Sequence, residues 1–412
     1  MKKSLILWLF PLFAVAGNLE QLLNFAEQNK QVEASRYSLE ASKEKEYATK
    51  SSYMPSLTLG ANQTFNQESN AFTPEKSATG SATLSFTIYD GGKREASFEQ
   101  QQALVKSATF TLASVQNNIS LDVIYYYYNY LSTLASKEST LKKMEQLEAE
   151  CYRLEKFLSV GSITADELQK IVSSIEQTKV DLLALDNSLN NISNTLEYLT
   201  GQEVVVEKGS TIVYKDVNTD EGKRLDILAL EESLKSNKSE VKIAKAPNKP
   251  TLVLQDTYSK YDFDYPTQVD SLEQQNSVQL AMEWKIFDFA STSSNAQAAY
   301  LNYLSKNSEL AYAKYKAKAS FKNAQNSYKT SIAKIEAAKA KLQASEMTYE
   351  LIKKKFQQGI VNNVSYLDAL SDKFNSNSQL QTALNEVEYQ KAVLLYEMGE
   401  NIKGAIQWKR FL

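Results

Sequence analysis

The sequence predicts a mainly α-helical chain made of two structural repeats. Its long helical hairpins build a coiled-coil barrel, and its four β-strands are contributed to a transmembrane β-barrel shared between copies. Three observations lead there. Between Gly92 and Leu158 the chain has neither proline nor glycine, and at 1.5 Å per residue such a run makes roughly 100 Å of unbroken helix. Four segments alternate apolar and polar side chains over about ten residues, the span of a tilted membrane strand. Local patterns also recur at a fixed distance, the mark of a duplicated unit.

The N-terminus opens on Lys2 and Lys3, runs apolar through residues 5–16 and closes on the small-residue pattern Ala14-Val15-Ala16. That run is too short to span a bilayer as a helix and has the form of a secretory signal peptide over residues 1–16, cut before Gly17. Gly17 is not a cysteine, so no bacterial lipid anchor is expected at that point. Without the two leader lysines the chain keeps 44 basic against 49 acidic residues. This mild acidity lacks the basic stripe a nucleic acid requires.

The sequence has no histidine, one cysteine (Cys151) and 12 glycines in 412 residues. The usual general base near neutral pH, the usual zinc ligand and every histidine-activated nucleophile are therefore missing. No glycine loop is shaped to cradle phosphate. An enzyme is not expected, and neither catalytic residues, metal nor cofactor are assigned.

The repeat is carried by matching residues. Tyr89-Asp90 recurs as Phe287-Asp288, Tyr130 as Tyr328 and Gly161 as Gly359, all 198 residues apart. Segments 157–161 and 356–359 each open on phenylalanine and close on glycine, and Pro55 matches Pro250 at the head of similar apolar stretches. The first repeat is expected over 17–210, with a helix at 19–51, a β-hairpin at 56–89 and a helical hairpin turning near 161. The second is expected over 211–412, with a helix at 223–245, a β-hairpin at 251–287 and a turn near 359.

In the first strand Leu57, Leu59, Ala61 and Phe65 share a face; in the second, Ala82, Leu84, Phe86 and Ile88 do. The third, over 252–258, is broken on its apolar face by Asp256. In the fourth, Val278, Leu280, Met282, Trp284 and Ile286 oppose Gln279, Ala281, Glu283 and Lys285. Such alternation suits lipid on one side and water on the other, and equally an ordinary half-buried sheet. Polar loops are expected at 67–76 and 259–276, with Tyr258, Tyr261, Phe263 and Tyr265 as an interfacial aromatic girdle. Four strands cannot close a barrel, and an open sheet edge cannot lie in lipid. Copies of the chain must complete it; two copies give eight strands and three give twelve.

Heptad spacing marks the helical hairpins. Met144, Leu147, Cys151, Leu154 and Leu158 face a seam that returns through Leu168, Ile171, Ile175, Thr178, Leu182, Leu185, Leu189, Ile192, Leu196 and Leu199. Cys151 reads as a small apolar filler of that seam. The second hairpin keeps the spacing with smaller and more polar members, Ala338, Ser345, Asn377 and Gln381 among them, so weaker docking and movement during opening are expected of it. The cluster Tyr125 to Tyr130 reads as contacts between neighbouring helices.

The leader, the duplicated helix–strand–hairpin halves and the two glycine tips resemble the TolC-like outer-membrane efflux protein family over essentially the whole mature chain. The most specific elements are FQQGIVNNVSYLDA at 356–369 and YDGGKR at 89–94. The resemblance implies a homotrimer with a twelve-stranded barrel in outer-membrane lipid atop a periplasmic helical barrel. It implies a passive exit duct of a tripartite efflux pump or type I secretion system, carrying drugs, small molecules or polypeptides. A periplasmic adaptor and an inner-membrane transporter are the implied partners. The adaptor-docking tips fall on Gly161, Ser162, Ile163, Gly359, Ile360 and Val361. The periplasmic aperture falls on Asp368, Ser365, Phe356, Val361 and Glu167. Asp368 matches a family aspartate ring, whereas Ser365, Phe356 and Val361 stand where other members carry an aspartate, a tyrosine and an arginine. An apolar collar with one acidic ring is therefore expected. The other readings are a periplasmic adaptor and an exported coiled-coil structural protein.

Overall fold

The computed structural model describes residues 15–70, 72–214, 224–264 and 272–408. Its elements run β1 (Val15–Gly17), α1 (Leu19–Ala26), α2 (Lys30–Ser51), β2 (Ser56–Phe65), β3 (Lys76–Asp90), α3 (Lys93–Ser159), α4 (Ala165–Thr200), β4 (Val204–Val206), β5 (Ser210–Ile212), α5 (Leu225–Lys245), β6 (Thr251–Asp264), β7 (Gln274–Glu283), α6 (Ser291–Gln357), α7 (Asn363–Glu397) and β8 (Ile406–Trp408). The expected long helices are present, and α3 and α6 have the same length, 67 residues each. Two compact units are formed, one from residues 1–34, 113–225 and 315–412, the other from 35–112 and 226–314.

The second unit holds a four-stranded antiparallel sheet in the order β2-β3-β6-β7. Its strands are not those expected in every respect. β6 runs to Asp264, well into the expected polar loop at 259–276, and β3 starts at Lys76, where the expected loop at 67–76 ends, whereas β7 stops at Glu283, short of Trp284 and Ile286. Alternation marks the segment, but a strand persists only where a neighbour supplies hydrogen bonds, and nothing pairs with residues 284–286 here. One face carries Leu57, Leu84, Leu254, Tyr258, Val278 and Leu280; the other carries Thr58, Asn62, Thr83, Gln255 and Gln279. Tyr261 and Phe263 stack with centroids 5.3 Å apart, but they lie on the face opposite Tyr258. A single girdle of these rings is ruled out by strand parity; Tyr265 lies outside the described residues. Asp256 sits on the apolar face between Leu84 and Val278, with one carboxylate oxygen buried and unpartnered.

In the first unit, the expected helix over 19–51 is two helices. Asn29 breaks it: its Oδ1 accepts from the Gln31 amide at 2.8 Å and its Nδ2 donates to the Leu199 carbonyl at 2.9 Å. Asn18 and Gln21 form a reciprocal capping box that starts α1. Four three-residue strands escaped the sequence reading because no periodicity can show in so short a run: β1 pairs in parallel with β4, and β5 antiparallel with β8. The expected leader lies outside the described residues except for Val15 and Ala16, which pair with Val204 and Val205.

The tyrosine cluster divides its work. Tyr125 meets Tyr389 of α7 edge-on at 5.3 Å, a contact between helices as expected. Tyr127 and Tyr128 instead donate to the carbonyls of Glu207 at 2.6 Å and Ser210 at 3.0 Å, tying the β4–β5 segment to α3. Burial raises both phenols' pKa, keeping them neutral donors.

The α4 seam is buried at Ile171, Ile175, Thr178, Leu189, Ile192, Leu196 and Leu199. Its polar member, Thr178, donates to the Ser174 carbonyl at 2.7 Å, so burial leaves its hydroxyl satisfied. On α7 the polar seam residues are not simply missing apolar area. Asn377 donates to Ser139 at 2.8 Å, Ser378 meets Ser136 at 2.6 Å and Asn385 donates to Ser132 at 3.1 Å. A polar ladder replaces the leucine seam on this face.

Candidate functional site: the paired hairpin tips

Both hairpins turn by the same device. Gly161 and Gly359 are left-handed, at φ 73° and 74°. At the first tip the Gly161 amide donates to the Leu158 carbonyl (3.0 Å) and the Ser162 amide to the Phe157 carbonyl (2.9 Å). At the second, Gly359 donates to Phe356 (3.0 Å) and Ile360 to Lys355 (2.9 Å). These are two Schellman caps, which close the last carbonyls of a helix and call for glycine. The return helices start differently. Asn362 caps α7 by accepting from the amide and hydroxyl of Ser365, both at 3.0 Å. Thr164 makes no side-chain cap for α4, which carries Asp166 and Glu167 in its first turn, where the helix dipole favours acids. The Asp166 carboxyl is held below its usual range by hydrogen bonds from Thr164 and Lys170.

The ends of α3 and α6 and the starts of α4 and α7 share one core. Met144, Leu147, Leu154, Ile171, Ile175, Tyr349, Tyr366, Leu370 and Phe374 are buried together, with Cys151, Ile163, Leu168, Ile352 and Phe356 packed half-buried against them. Cys151 thus fills the seam as expected, and burial raises its thiol pKa. Ile163 and Phe356 belong partly to this core, whereas Gly161, Ser162, Gly359 and Ile360 are exposed. Asn363 is buried and donates to the Glu167 carbonyl at 2.9 Å, tying the second tip to the first.

A cation and aromatic rings lock this core. The Arg153 guanidinium, paired with Glu150, lies 5.1 Å from the centroids of both Phe157 and Phe356. Phe356 stacks on Tyr366 at 4.8 Å, and Tyr366 leans on Tyr349 at 6.1 Å. The Lys373 ammonium caps Tyr349 at 4.3 Å. Burial, then the adjacent Tyr349, raises the Tyr366 phenol's pKa. Arg153 is a member of this tip core that the sequence reading missed. Its spacing from Phe157 was legible; its contact with Phe356, some two hundred residues away, was not.

Of the expected aperture residues, Phe356 joins this stack and Glu167 meets Asn363 through its backbone. Asp368 is exposed on α7, away from the core. Ser365, Asp368 and Asp372 of α7 follow spacings of three and four, which puts them on one helix face, whereas Val361 lies in the turn before the helix. Asp372, one turn beyond Asp368, is exposed as well and was not singled out by the sequence reading. Among the described residues no three metal-ligating side chains converge, and no helix is long and apolar enough to cross a membrane.

The sequence profile of the family described as Outer membrane efflux protein matches residues 22–202 and 221–398, both repeats. Outer membrane protein TolC of Escherichia coli is 22% identical over 398 residues, 91% of this chain and 80% of that protein. Among solved structures, the outer membrane protein VceC of Vibrio cholerae superposes with a TM-score of 0.85 at 17% identity, over 93% of this chain and 96% of that one. The Campylobacter jejuni CmeC outer membrane channel does so at 0.81 and 16%, over 96% and 90%. These relatives pair a helical barrel with a β-barrel, and the adaptor and coiled-coil filament readings are not favoured. The chain belongs to the outer membrane efflux protein family, a family of channels, and its place is the outer membrane with its helices in the periplasm.

Proposed function

We propose that this protein is the passive exit duct of a tripartite efflux pump or type I secretion system, a homotrimer that catalyses no reaction. The observation that carries this reading is the four-stranded sheet, apolar on one face and polar on the other, whose outer strands β2 and β7 each lack a partner on one side among the described residues. Unpaired backbone groups in lipid cost several kcal/mol each. Three copies supply twelve strands around a polar lumen wide enough for drugs, small molecules or polypeptides. Energy comes from an inner-membrane transporter, reached through a periplasmic adaptor that docks on the exposed tips at Gly161, Ser162, Ile163, Gly359, Ile360 and Val361. Residues 1–16 direct export and are removed, which leaves Gly17 alone of β1 beside β4.

At the periplasmic mouth, Asp368 forms the acidic ring, with Ser365, Val361, Phe356 and Glu167 completing the aperture. Converging carboxylates attract cations and resist closing together. The second hairpin moves on opening, released from the Arg153 stack. The deciding experiment isolates outer-membrane fractions and asks for a heat-resistant trimer that co-purifies with an adaptor and an inner-membrane pump. A monomer in the soluble fraction sinks the proposal. For the ring, Asp368→Asn is expected to lower cation selectivity in single-channel recordings; unchanged selectivity removes Asp368 from the aperture.

A further inference from the structure

The apolar face of the sheet is bounded by two rings with polar tips. At one level Tyr258 lies opposite Asn276 and donates from its hydroxyl to Gln274 Oε1 at 2.7 Å. At the other, Trp284 donates from its indole to the Asn248 carbonyl at 3.1 Å. Asn276 and Trp284 are eight residues apart on one line of chain. At about 3.3 Å per residue these levels stand roughly 26 Å apart along the strand, the scale of a membrane barrel's apolar band. Between them Leu57, Leu84, Phe86, Leu254, Val278 and Leu280 share the face. Asp256 is the one carboxyl there among the described residues. It sits between Leu84 and Val278, one level below Tyr258.

The first repeat folds the same hairpin without this residue. An offset of 195 carries Ser56, which starts β2, onto Thr251, which starts β6; an offset of 198 carries Lys76, which starts β3, onto Gln274, which starts β7. The same offsets take Ala61 to Asp256 and Gly80 to Val278, and both are cross-strand pairs. The hairpin therefore needs no carboxyl at this place. Nor does the fold use the one it has. One oxygen of Asp256 is buried and accepts no hydrogen bond among the described residues. An unmet buried acceptor destabilises, and an ionisable side chain facing lipid marks a functional contact. Asp256 is only half-buried, and the last side-chain bond of aspartate turns softly, so either oxygen can reach the surface. Above it the face becomes polar: Asn276 lies diagonal to it, Lys260 is exposed one level above Tyr258, and Asp262 is exposed above Lys260.

We propose that Asp256 accepts hydrogen bonds from the acyl junction of a saccharolipid in the exterior leaflet, with the Asn276 amide beside it and the Lys260 ammonium against a headgroup phosphate. Hydrogen-bond sense selects the class. A glycerophospholipid presents ester oxygens where its chains begin, and esters only accept. A saccharolipid that joins hydroxylated chains through amides presents N–H and O–H donors at that depth, which an acceptor carboxyl requires. Asp262 above Lys260 makes the headgroup contact mixed in sign, so the donors at the junction, not the net charge above it, set the choice. The proposal rests on the exit-duct reading, which puts this face in lipid and the strand ends away from the helices outside; it adds the lipid class and the residues that meet it.

Thermal unfolding of the purified full-length oligomer in lipid nanodiscs tests it. The discs hold phosphatidylethanolamine and phosphatidylglycerol, alone or with added lipid A, the probe saccharolipid. Lipid A is expected to raise the melting point of the unaltered protein by about 3 °C. In phospholipid alone, Asp256→Leu is expected to melt above the unaltered protein, because it removes the unmet acceptor, and lipid A is expected to add less than about a third of the shift. Asp256→Asn, which keeps the shape and one acceptor oxygen, is expected to retain about half. Ala61→Leu, at the matching place in the first repeat, is expected to leave the shift whole. An equal lipid A shift in Asp256→Leu and the unaltered protein overturns the proposal. So does an equal shift from discs enriched in phosphatidylglycerol, which would show a bare preference for negative charge. Should Asp256→Leu fail to assemble, a whole shift in Asp256→Asn overturns it instead. An intact oligomer that lipid A does not stabilise ends this proposal and leaves the exit duct standing. A monomer for the unaltered protein in native gels overturns the exit-duct reading and this proposal with it.

Discussion

The two strand-to-helix junctions occupy the same place in the two repeats and are built differently. In the first, Gly91 and Gly92 turn the chain at φ 75° and 86°; in the second, Phe289 and Ala290 do so at 50° and 66°. Glycine enters this region freely, whereas other residues are strained there by about 1–2 kcal/mol each. The first junction needs glycine for a second reason: a Cβ on Gly91 would lie 2.5 Å from the Ala246 carbonyl oxygen. It is a finished joint, packed against its own chain. The second leaves Phe289 87% exposed and follows a tract that lacks its strand partner. Asp288 steadies it by accepting from the amide of Thr292 at 2.9 Å and from its hydroxyl at 2.5 Å. Duplication preserved the turn and left its side chains exposed at the joint that follows the edge strand. The tips, by contrast, kept both glycine and hydrogen bonds in both repeats.

The largest effect expected from this contrast is at Gly91. Gly91→Ala adds left-handed strain to a clash with backbone and should cost about 3 kcal/mol, read as a lowered melting point of the purified oligomer. A melting point within error of the unaltered protein would mean the first joint is not tight. Next comes the stack between the hairpins. Arg153→Ala should cost about 2 kcal/mol and speed amide exchange at the start of α7, while Arg153→Lys, which keeps the charge but not the planar stacking, should restore only part. Exchange faster at the end of α3 than in α7 would show that the first hairpin, not the second, is the mobile one. At the tips, Gly161→Ala and Gly359→Ala should cost about 1 kcal/mol each, because each glycine has an open Cβ site and the same φ. Unequal losses would break the equivalence of the tips. Ala290→Gly should raise stability by up to about 1 kcal/mol, partly offset by the freedom glycine adds to the unfolded chain.

The smallest effect is alkaline. Tyr366 titrates above the ordinary phenol value of 10.0 when folded, so its contribution is whole below that value and is lost as pH rises beyond it. Tyr366 should contribute about 0.7 kcal/mol to the loss of stability between pH 9 and 10.5, beside the buried Tyr127 and Tyr128, and Tyr366→Phe should lessen that slope by its share. An equal slope in the phenylalanine variant would assign the loss to other tyrosines.

Most of the architecture was legible because its causes are local. Freedom from proline and glycine set the 67-residue helices, glycine set the tips, and alternation set the strand cores, all within a few residues of their own signals. The aperture residues could be placed by motif, but the sequence could not show that Phe356 turns into the tip core while Asp368 faces out. Seam polarity was read as lost contact, because Asn377 does not announce Ser139.

What the sequence by itself determined was the period, length and number of the elements, for these follow from backbone propensity and side-chain spacing along one stretch of chain. The tertiary structure alone decided where elements break or end: Asn29 reaching Leu199, Ile88 bulging against β6, β7 stopping where its partner stops, Arg153 finding Phe356. Each depends on a hydrogen-bonding or packing partner scores to hundreds of residues away, and such partners leave no mark in a local pattern.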